Sequence, residues 1–440
     1  MKRVHTTAAA VWSPDLFGLI ARFLPDVYNL YNYLSAIECT DNIGDLAHLL
    51  DRIQDAADAE SVWPVLRISS MTEVTPSLKA VVKFYSQIDV VDAVVDLSWL
   101  EACDSSSISI KAVPTTSSIT ALTAWFAQLP RLPVTSIVWS GHVHEPAFLH
   151  VLPQMHHLTS LRVTTDTNVG PLLAFVASSK LTTLSLSQHA FSSTDLARQD
   201  VVDAMLVNIT TWLTSQLATS FSFPMGYLGY GSPRCAKAFL HALAHASSLN
   251  VLLADALPLS LLRSHSFQLP RSLAALNIHK QYIQSIDDVT TLESLLQHSN
   301  LVNFFAIDCK FPPDHPFQTF LDSLPPTLKL VALSGCRLTN HHCEALARYL
   351  PTSSIGSIDL RRNNFDDVGV AALIKHAFQS TTLDEIRLDR NHRLTETTIV
   401  SLIELAKAKP NMHITVTDCG LDKEAKERLW TLVEEHDISL

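Results

Sequence analysis

Eight residues, CRLTNHHC at 336–343, hold two cysteines and two adjacent histidines. Thiolate and imidazole are favoured zinc ligands, and four of them so close in sequence could complete a tetrahedral site. A second cluster, GHVHE at 141–145, offers His142, His144 and Glu145, donor types found in metal-assisted hydrolysis. A third, MGYLGYGSPR at 225–234, gathers three of the chain's eleven glycines with Tyr227, Tyr230 and Arg234, side-chain types that anchor protein interfaces.

The metal reading of 336–343 competes with an internal repeat. LKLVALSGCRL from Leu328, IGSIDLRRNNF from Ile355 and LDEIRLDRNHRL from Leu383 read L-x-x-L-x-L-x-x-(N/C)-x-L, the last with one extra residue before Leu394. LVNFFAIDCKF from Leu301 and NMHITVTDCGL from Asn411 keep the frame, so successive starts lie 27, 27, 28 and 28 residues apart. Cys309, Cys336 and Cys419 therefore share one slot, the ninth, with Asn363 and Asn391. At a strand-to-helix turn that slot faces inward, where Asn can bond the turning backbone and Cys fills space as a small apolar residue. Cys343 falls on a helix face, and His341 and His342 fall at the helix start, pointing elsewhere. No metal is expected.

Positioning these residues requires strands and helices in alternation. The fourth and sixth slots are apolar, an alternation that fits a short strand with one buried face. After each strand comes a helical period: Cys343, Leu346, Ala347, Leu350, then Val370, Leu373, Ile374, Ala377, then Ile399, Leu402, Ile403, Ala406. Asn340 and the pair Asp366–Asp367 stand where helix caps belong. Each unit can bury these faces only against its neighbours, so the array is expected to stack into a curved solenoid. The frame continues more loosely upstream from Leu273, Leu249, Leu181, Leu158 and Val134, with a weaker unit near Ala218 using Phe221 and Phe223. That makes about ten units between residues 134 and 440.

Residues 301–421 resemble leucine-rich repeats of the ribonuclease-inhibitor type, and the looser frame extends the likeness back to 134. The resemblance implies an α/β horseshoe, with parallel strands on the concave side, helices outside, and a role in binding proteins. GHVHE resembles one piece of the metallophosphoesterase signature. That chemistry also needs a G-N-H-D/E element; no G-N-H-E occurs, and His142 falls in the Asn/Cys slot of its own unit. H-E-x-x-H, C-x-x-C, G-x-S-x-G and Walker A strings are likewise missing. MGYLGYGSPR has no phosphate-reaching Lys and is expected to be an inter-repeat loop with a minor binding role. Neither a catalytic residue nor a cofactor is expected.

Residues 1–70 read differently. WSPDLFGLIARFLPD opens a helix with Pro14 and Asp15, and Leu16, Ile20, Phe23 and Leu24 recur at helical spacing. Second and third helices fit Val27, Leu30, Leu34, Ile37 and Leu46, Leu49, Leu50, Ile53; VWPVLRIS at 62–69 could then begin a strand. The stretch from Ser13 to Pro25 resembles the opening of an F-box, and VWPVLRIS its closing L-W-x-x-L, while the family's middle V-C-x-x-W-x-x-L run is missing. The resemblance implies docking on a Skp-family adaptor of a cullin ubiquitin ligase through Pro14, Asp15, Leu16, Ile20 and Leu24. The alternative is a cap over the first repeat, which a solenoid needs. Residues 71–133 form an irregular connector or early repeats. SLKAVVKFYSQI fits a helix, DAVVDLSWL a strand through Val95 and Leu97, and CDSSSISI and PTTSSIT loops.

On the concave side the most regular units place Arg337, Asp359, Arg361, Arg362, Glu385, Arg387, Asp389 and Arg390. They could read a charged partner segment. Strands about 4.8 Å apart could equally set Asp359 beside Arg387 and Arg361 beside Asp389, so that they neutralise one another.

Composition agrees with a binding protein. The chain has 440 residues, 47% hydrophobic and 17% charged, with net charge −11. An acidic balance without a basic cluster disfavours nucleic acid and anionic membranes. No signal peptide or membrane span is expected. Seven scattered cysteines point to a reducing compartment, cytosol or nucleus. The expected function is a non-enzymatic adaptor, the substrate-recognition subunit of a Skp-cullin-F-box ligase, bringing a protein to the enzyme by proximity. The alternative is a stand-alone repeat scaffold or inhibitor with residues 1–70 as its cap.

Overall fold

The computed structural model describes residues 14–38, 43–56, 62–91, 96–101, 103, 107–114, 118–140, 145–164, 169–190, 198–281, 283, 285–312, 317–421, 423–434 and 438–439. Ser13, Cys39, Val95 and the GHVH residues 141–144 lie outside them. The chain forms two compact units, one of residues 1–175 and 179–181, the other of 176–178 and 182–440. Both are α/β: strands pair in parallel in chain order, and helices or short 3-10 turns alternate with them.

The first unit begins with α1 (Pro14–Ala21), α2 (Val27–Ile37) and α3 (Leu46–Asp55). Asp26 caps α2, its carboxylate accepting from the Asn29 N–H at 2.8 Å. Leu30, Leu34, Leu46, Leu49, Leu50 and Ile53 form the inward stripes that the 3.6 period requires. The Trp63 indole N–H donates to the Leu24 carbonyl at 2.9 Å, tying the end of α1 to the segment before the first strand, and the Tyr33 hydroxyl donates to the Phe17 carbonyl at 3.2 Å, tying α2 to α1. Gly18 lies on the Phe84 ring so closely that a Cβ there would stand 2.4 Å from it. α3 packs on the helix Pro76–Val81. The helical segment thus packs against the elements that follow it in its own unit.

β1 (Val65–Ile68), β2 (Gln87–Val90), β3 (Ser107–Ile110), β4 (Val134–Trp139) and β5 (Ser160–Val163) follow, with a register shift where β3 meets β4 at Ile108/Ser109. Two expectations for 71–133 change. SLKAVVKFYSQI is not one helix: the helix ends at Val81, a 3-10 turn covers Val82–Phe84, and Gln87 already belongs to β2. Nor is Leu97 in a strand. It precedes a 3-10 turn, and the strand is the SISI of the supposed loop, where Ile108 and Ile110 are buried. Alternate serines hid a strand whose other residues carry the core.

The second unit contains β6 (Thr183–Leu186), β7 (Ser220–Pro224), β8 (Val251–Asp255), β9 (Ala275–His279), β10 (Asn303–Ile307), β11 (Leu330–Ser334), β12 (Ser357–Asp359), β13 (Glu385–Arg387), β14 (His413–Thr415) and β15 (Ile438–Ser439). The fourth and sixth slots supply its core: Phe304 and Ala306, Val331 and Leu333, Ile358 and Leu360, Ile386 and Leu388 are all nearly fully buried. Full burial of each larger one contributes roughly 1.5–3 kcal/mol. Helices Asn340–Tyr349, Asp367–Ala377 and Glu396–Ala408 bury the anticipated stripes. Asp366 caps its helix by accepting from the Val368 N–H at 2.9 Å. Asn340 does not cap; it bonds Asp366 of the next unit at 2.6 Å, and Thr339 takes the cap position. MGYLGYGSPR also departs from expectation, being a 3-10 helix over Met225–Tyr230 that leads into the helix Pro233–Ala244, capped by Ser232. Among the described residues, no helix is long and apolar enough to cross a membrane.

Candidate functional site

The ninth slot explains the residues that first suggested metal. Asn391, 0% exposed, donates through Nδ2 to the carbonyls of Leu360 (3.1 Å) and Leu388 (2.7 Å), and its Oδ1 accepts the Asn363 N–H at 3.0 Å. Asn363 does the same with Leu333 and Leu360. The cysteines copy the pattern weakly: the Cys336 thiol lies 3.2 Å from the Ala306 carbonyl, that of Cys309 3.6 Å from Ile278, that of Cys419 3.6 Å from Leu388. Cysteine here is a feeble donor as well as a filler. Burial pushes the Cys343 thiol up to about 12 and Cys419 to about 11, while the hydrogen bond with Cys309 and burial raise Cys336, so none of the three is poised as a thiolate. His342 completes a capping box, its Nδ1 accepting from the Thr339 N–H at 3.2 Å. Among the described residues no group of three His, Cys, Asp or Glu is placed to hold a metal ion.

The eighth slot was invisible in composition. Ala256, Lys280, Asp308, Gly335, Arg362, Arg390 and Asp418 all have left-handed φ between 50° and 67°. Six of them, Ala256 to Arg390, donate their N–H to a carbonyl at the strand end of the next unit, for example Arg362 to Asp389 at 2.9 Å. Only one of the seven is glycine, so the usual flag for this conformation was missing.

The third, fifth and seventh slots form the open side of the sheet, and strand register aligns them in rows. One row runs Ser222, Leu253, Asn277, Phe305, Ala332, Asp359, Arg387, Thr415. A parallel row runs Ser220, Val251, Ala275, Asn303, Leu330, Ser357, Glu385, His413. The face is thus small and polar at β7, mainly apolar from β8 to β11, and charged from β12 to β14.

In the charged part Asp359 does stand beside Arg387 in register, but the ion pairs form within strands. Arg361 grips Asp359, Nε at 2.9 Å from both oxygens and Nη2 at 2.5 Å; Arg387 grips Glu385 at 2.5–2.7 Å. The i,i+2 spacing puts both side chains on one face, a nearer partner than the neighbouring strand offers. Arg362 reaches Asp308 at 3.4 Å, crossing the unit where Gly335 stands, and Arg390 reaches Asp418 at 3.4 Å. A Cβ on Gly335 would lie 2.2 Å from the Asp308 carboxylate. Burial opposes the charge of Asp389, yet bonds from the Thr415 hydroxyl (2.6 Å) and from the Thr417 N–H and hydroxyl (2.7 and 2.8 Å) outweigh it and lower its pKa. Arg361, Arg362, Arg387, Asp389 and Arg390 line one cavity of about 500 Å³ with Ile307, Ser334, His413, Thr415 and Thr417. Arg337 is exposed and does not line it.

At the other candidate surface, Pro14 and Asp15 open α1, and Leu16, Ile20 and Leu24 are half-buried. The outward residues are Leu19 (51% exposed), Phe23 (80%), Tyr28 (66%) and Tyr31 (41%). Tyr227 is half-buried, Tyr230 and Arg234 exposed.

The chain matches no protein-family model and no curated protein. Among solved structures it is similar to the complex of Rad7 and Elc1 in yeast, with 13% identity, TM-score 0.47, and coverage of 93% of this chain and 90% of that one. It is also similar to the actin-binding site 2 of leiomodin-1, with 20% identity, TM-score 0.26, and coverage of 34% of this chain and 90% of that one.

Proposed function

We propose that the chain is a non-enzymatic adaptor that holds a protein on its sheet face and docks through α1 and α2 on a Skp-family adaptor of a cullin ubiquitin ligase. One observation carries the docking half. Four of the 15 large hydrophobic side chains exposed among the described residues, Leu19, Phe23, Tyr28 and Tyr31, fall within thirteen positions of a segment that resembles an F-box. Clustered exposed apolar side chains mark a binding surface, and aromatic ones are frequent anchors. Leu16, Ile20 and Leu24, half-buried behind them, support the surface, and Pro14 and Asp15 start its helix. For the target, Asp359, Arg361, Arg362, Glu385, Arg387, Asp389 and Arg390 supply the charged part of the face, with Arg337 at its margin. The adaptor's contribution to ubiquitin transfer is placement: it raises the local concentration of the target.

The stand-alone scaffold is the second reading. The contacts of Gly18 with Phe84 and of α3 with Pro76–Val81 favour it, because they make the helices a cap. Co-purification of the full chain with a Skp-family adaptor separates the two. Capture by the wild type, lost in Leu19→Asp/Phe23→Asp with folding intact, supports the ligase reading; no capture by the wild type leaves the cap alone.

A further inference from the structure

The sheet face of the second unit has an imbalance of hydrogen-bonding capacity. The three carboxylates of its charged part, from β12 to just past β13, are committed at both oxygens: Asp359 to Arg361, Glu385 to Arg387 and Ser357, Asp389 to Thr415 and Thr417. The guanidiniums are not. Arg361 and Arg387 each engage Nε and Nη2, and a guanidinium carries five N–H donors. Arg362 and Arg390 have single contacts at 3.4 Å. The four arginines line the cavity, whereas Asp308, Asp359, Glu385 and Asp418 do not. What the cavity wall has left to offer is donors and positive charge.

The same cavity reaches Ile307 and Ser334, where the charged rows meet the apolar ones. Leu253 and Phe305 are half-buried on the open side of the sheet and flank Asn277 in one row, and half-buried Leu330 stands in the adjacent row beside Asn303. Between them, Asn277 Oδ1 and His279 Nε2 are shielded atoms with no hydrogen-bond partner among the described residues. A buried polar atom left unsatisfied is unfavourable, and turning either side chain outward would offer it to a polypeptide backbone laid across the face.

We infer that this face, from β8 to β14, takes an extended protein segment in which apolar side chains adjoin acidic ones. The apolar ones lie over Leu253, Phe305 and Ile307, and the carboxylates meet Arg361, Arg362, Arg387 and Arg390. Arg–carboxylate pairs are bidentate and directional, so they also set the segment's orientation. This deepens the protein-binding half of the proposed function and rests on it. Nucleic acid also carries acceptors, but the net charge of −11 and the apolar rows oppose it.

The test is selection on the full chain from a display library of 12-residue peptides randomised over Leu, Phe, Ser, Gln, Lys, Asp and Glu. Enrichment of Asp or Glu next to Leu or Phe is expected. For the winning peptide, Arg362→Gln/Arg390→Gln, which touches only loosely held arginines, should weaken binding at least tenfold, as should Phe305→Ser. No enrichment, enrichment of Lys, unchanged binding by the arginine variant, or displacement by a 12-nucleotide single-stranded RNA overturns the inference. Skp-family capture is measured on the same preparations. Failed peptide selection with capture intact refutes this inference alone, and the reverse refutes the ligase reading alone.

Discussion

From Ala275 to His413 the paired strands advance by 28, 27, 27, 28 and 28 residues, whereas Val65, Gln87 and Ser107 advance by 22 and then 20. The regular region ends each strand with a left-handed residue and an inward Asn, Cys or Gln at the next position. Among the described residues of the first unit the only left-handed residue is Gly44, which lies before β1. Its strands lead instead through connections of varied length and 3-10 turns such as Met71–Glu73 and Ser98–Leu100. A turn closed by its own side chain fixes where the helix starts, and the unit length with it. A turn without that device tolerates insertions and deletions, and its period drifts.

The largest expected effect attacks the inward slot. Asn391→Ala strands the carbonyls of Leu360 and Leu388 and the Asn363 N–H. It should destabilise by about 2–4 kcal/mol, read as a lower denaturant midpoint at unchanged slope. His189, in the same slot of the unit from Leu181, is exposed, and His189→Ala should change stability by less than about 0.5 kcal/mol. Equal effects at the two positions would break the comparison.

A smaller effect comes from the eighth slot. Gly335→Ala combines left-handed φ with a clash against Asp308, and should cost about 1–2 kcal/mol. Asp308→Ala in the same chain should recover part of that loss if the clash contributes.

The smallest is a pH effect peculiar to the regular region. Burial and the nearby His341 hold the His342 pKa below its ordinary value of 6.5, and the capping box requires its neutral form. Because the folded value is the lower one, the contribution is complete above about 6.5 and fades as pH falls through the folded pKa. Thermal unfolding between pH 7.5 and 5 should show a loss, of order 1 kcal/mol or less, that His342→Gln removes.

The alternation of buried and open slots between 301 and 421 was legible because apolar residues recur there at a constant period, and the shared slot of Cys309, Cys336, Cys419, Asn363 and Asn391 followed from alignment alone. SISI at 107–110 was not legible, since serines at a strand's outer positions look like a loop. Nor were the left-handed Lys280, Asp308, Arg362 and Arg390, whose conformation is imposed by the carbonyl waiting in the next unit. For the candidate site, the sequence identified which charges share the face but not which pair. Adjacent-strand pairing and i,i+2 pairing are both compatible with the pattern, and the long reach of arginine decides for the second. The exposed Leu19 was hidden for a related reason, because helical spacing finds the inward stripe and leaves the outward one unmarked; Phe23 was expected in that stripe, but α1 ends at Ala21 and Phe23 is exposed.

The backbone bond that closes six of these eighth-slot turns runs forward, as from Lys280 to Ile307, Asp308 to Ser334, Gly335 to Arg361 and Arg362 to Asp389. The array therefore has a grain, like a row of roof tiles in which every tile is held down by the one laid after it. Peeling units from the C-terminal end loosens the fastening of the unit left behind, while removing them from the other end leaves those fastenings in place.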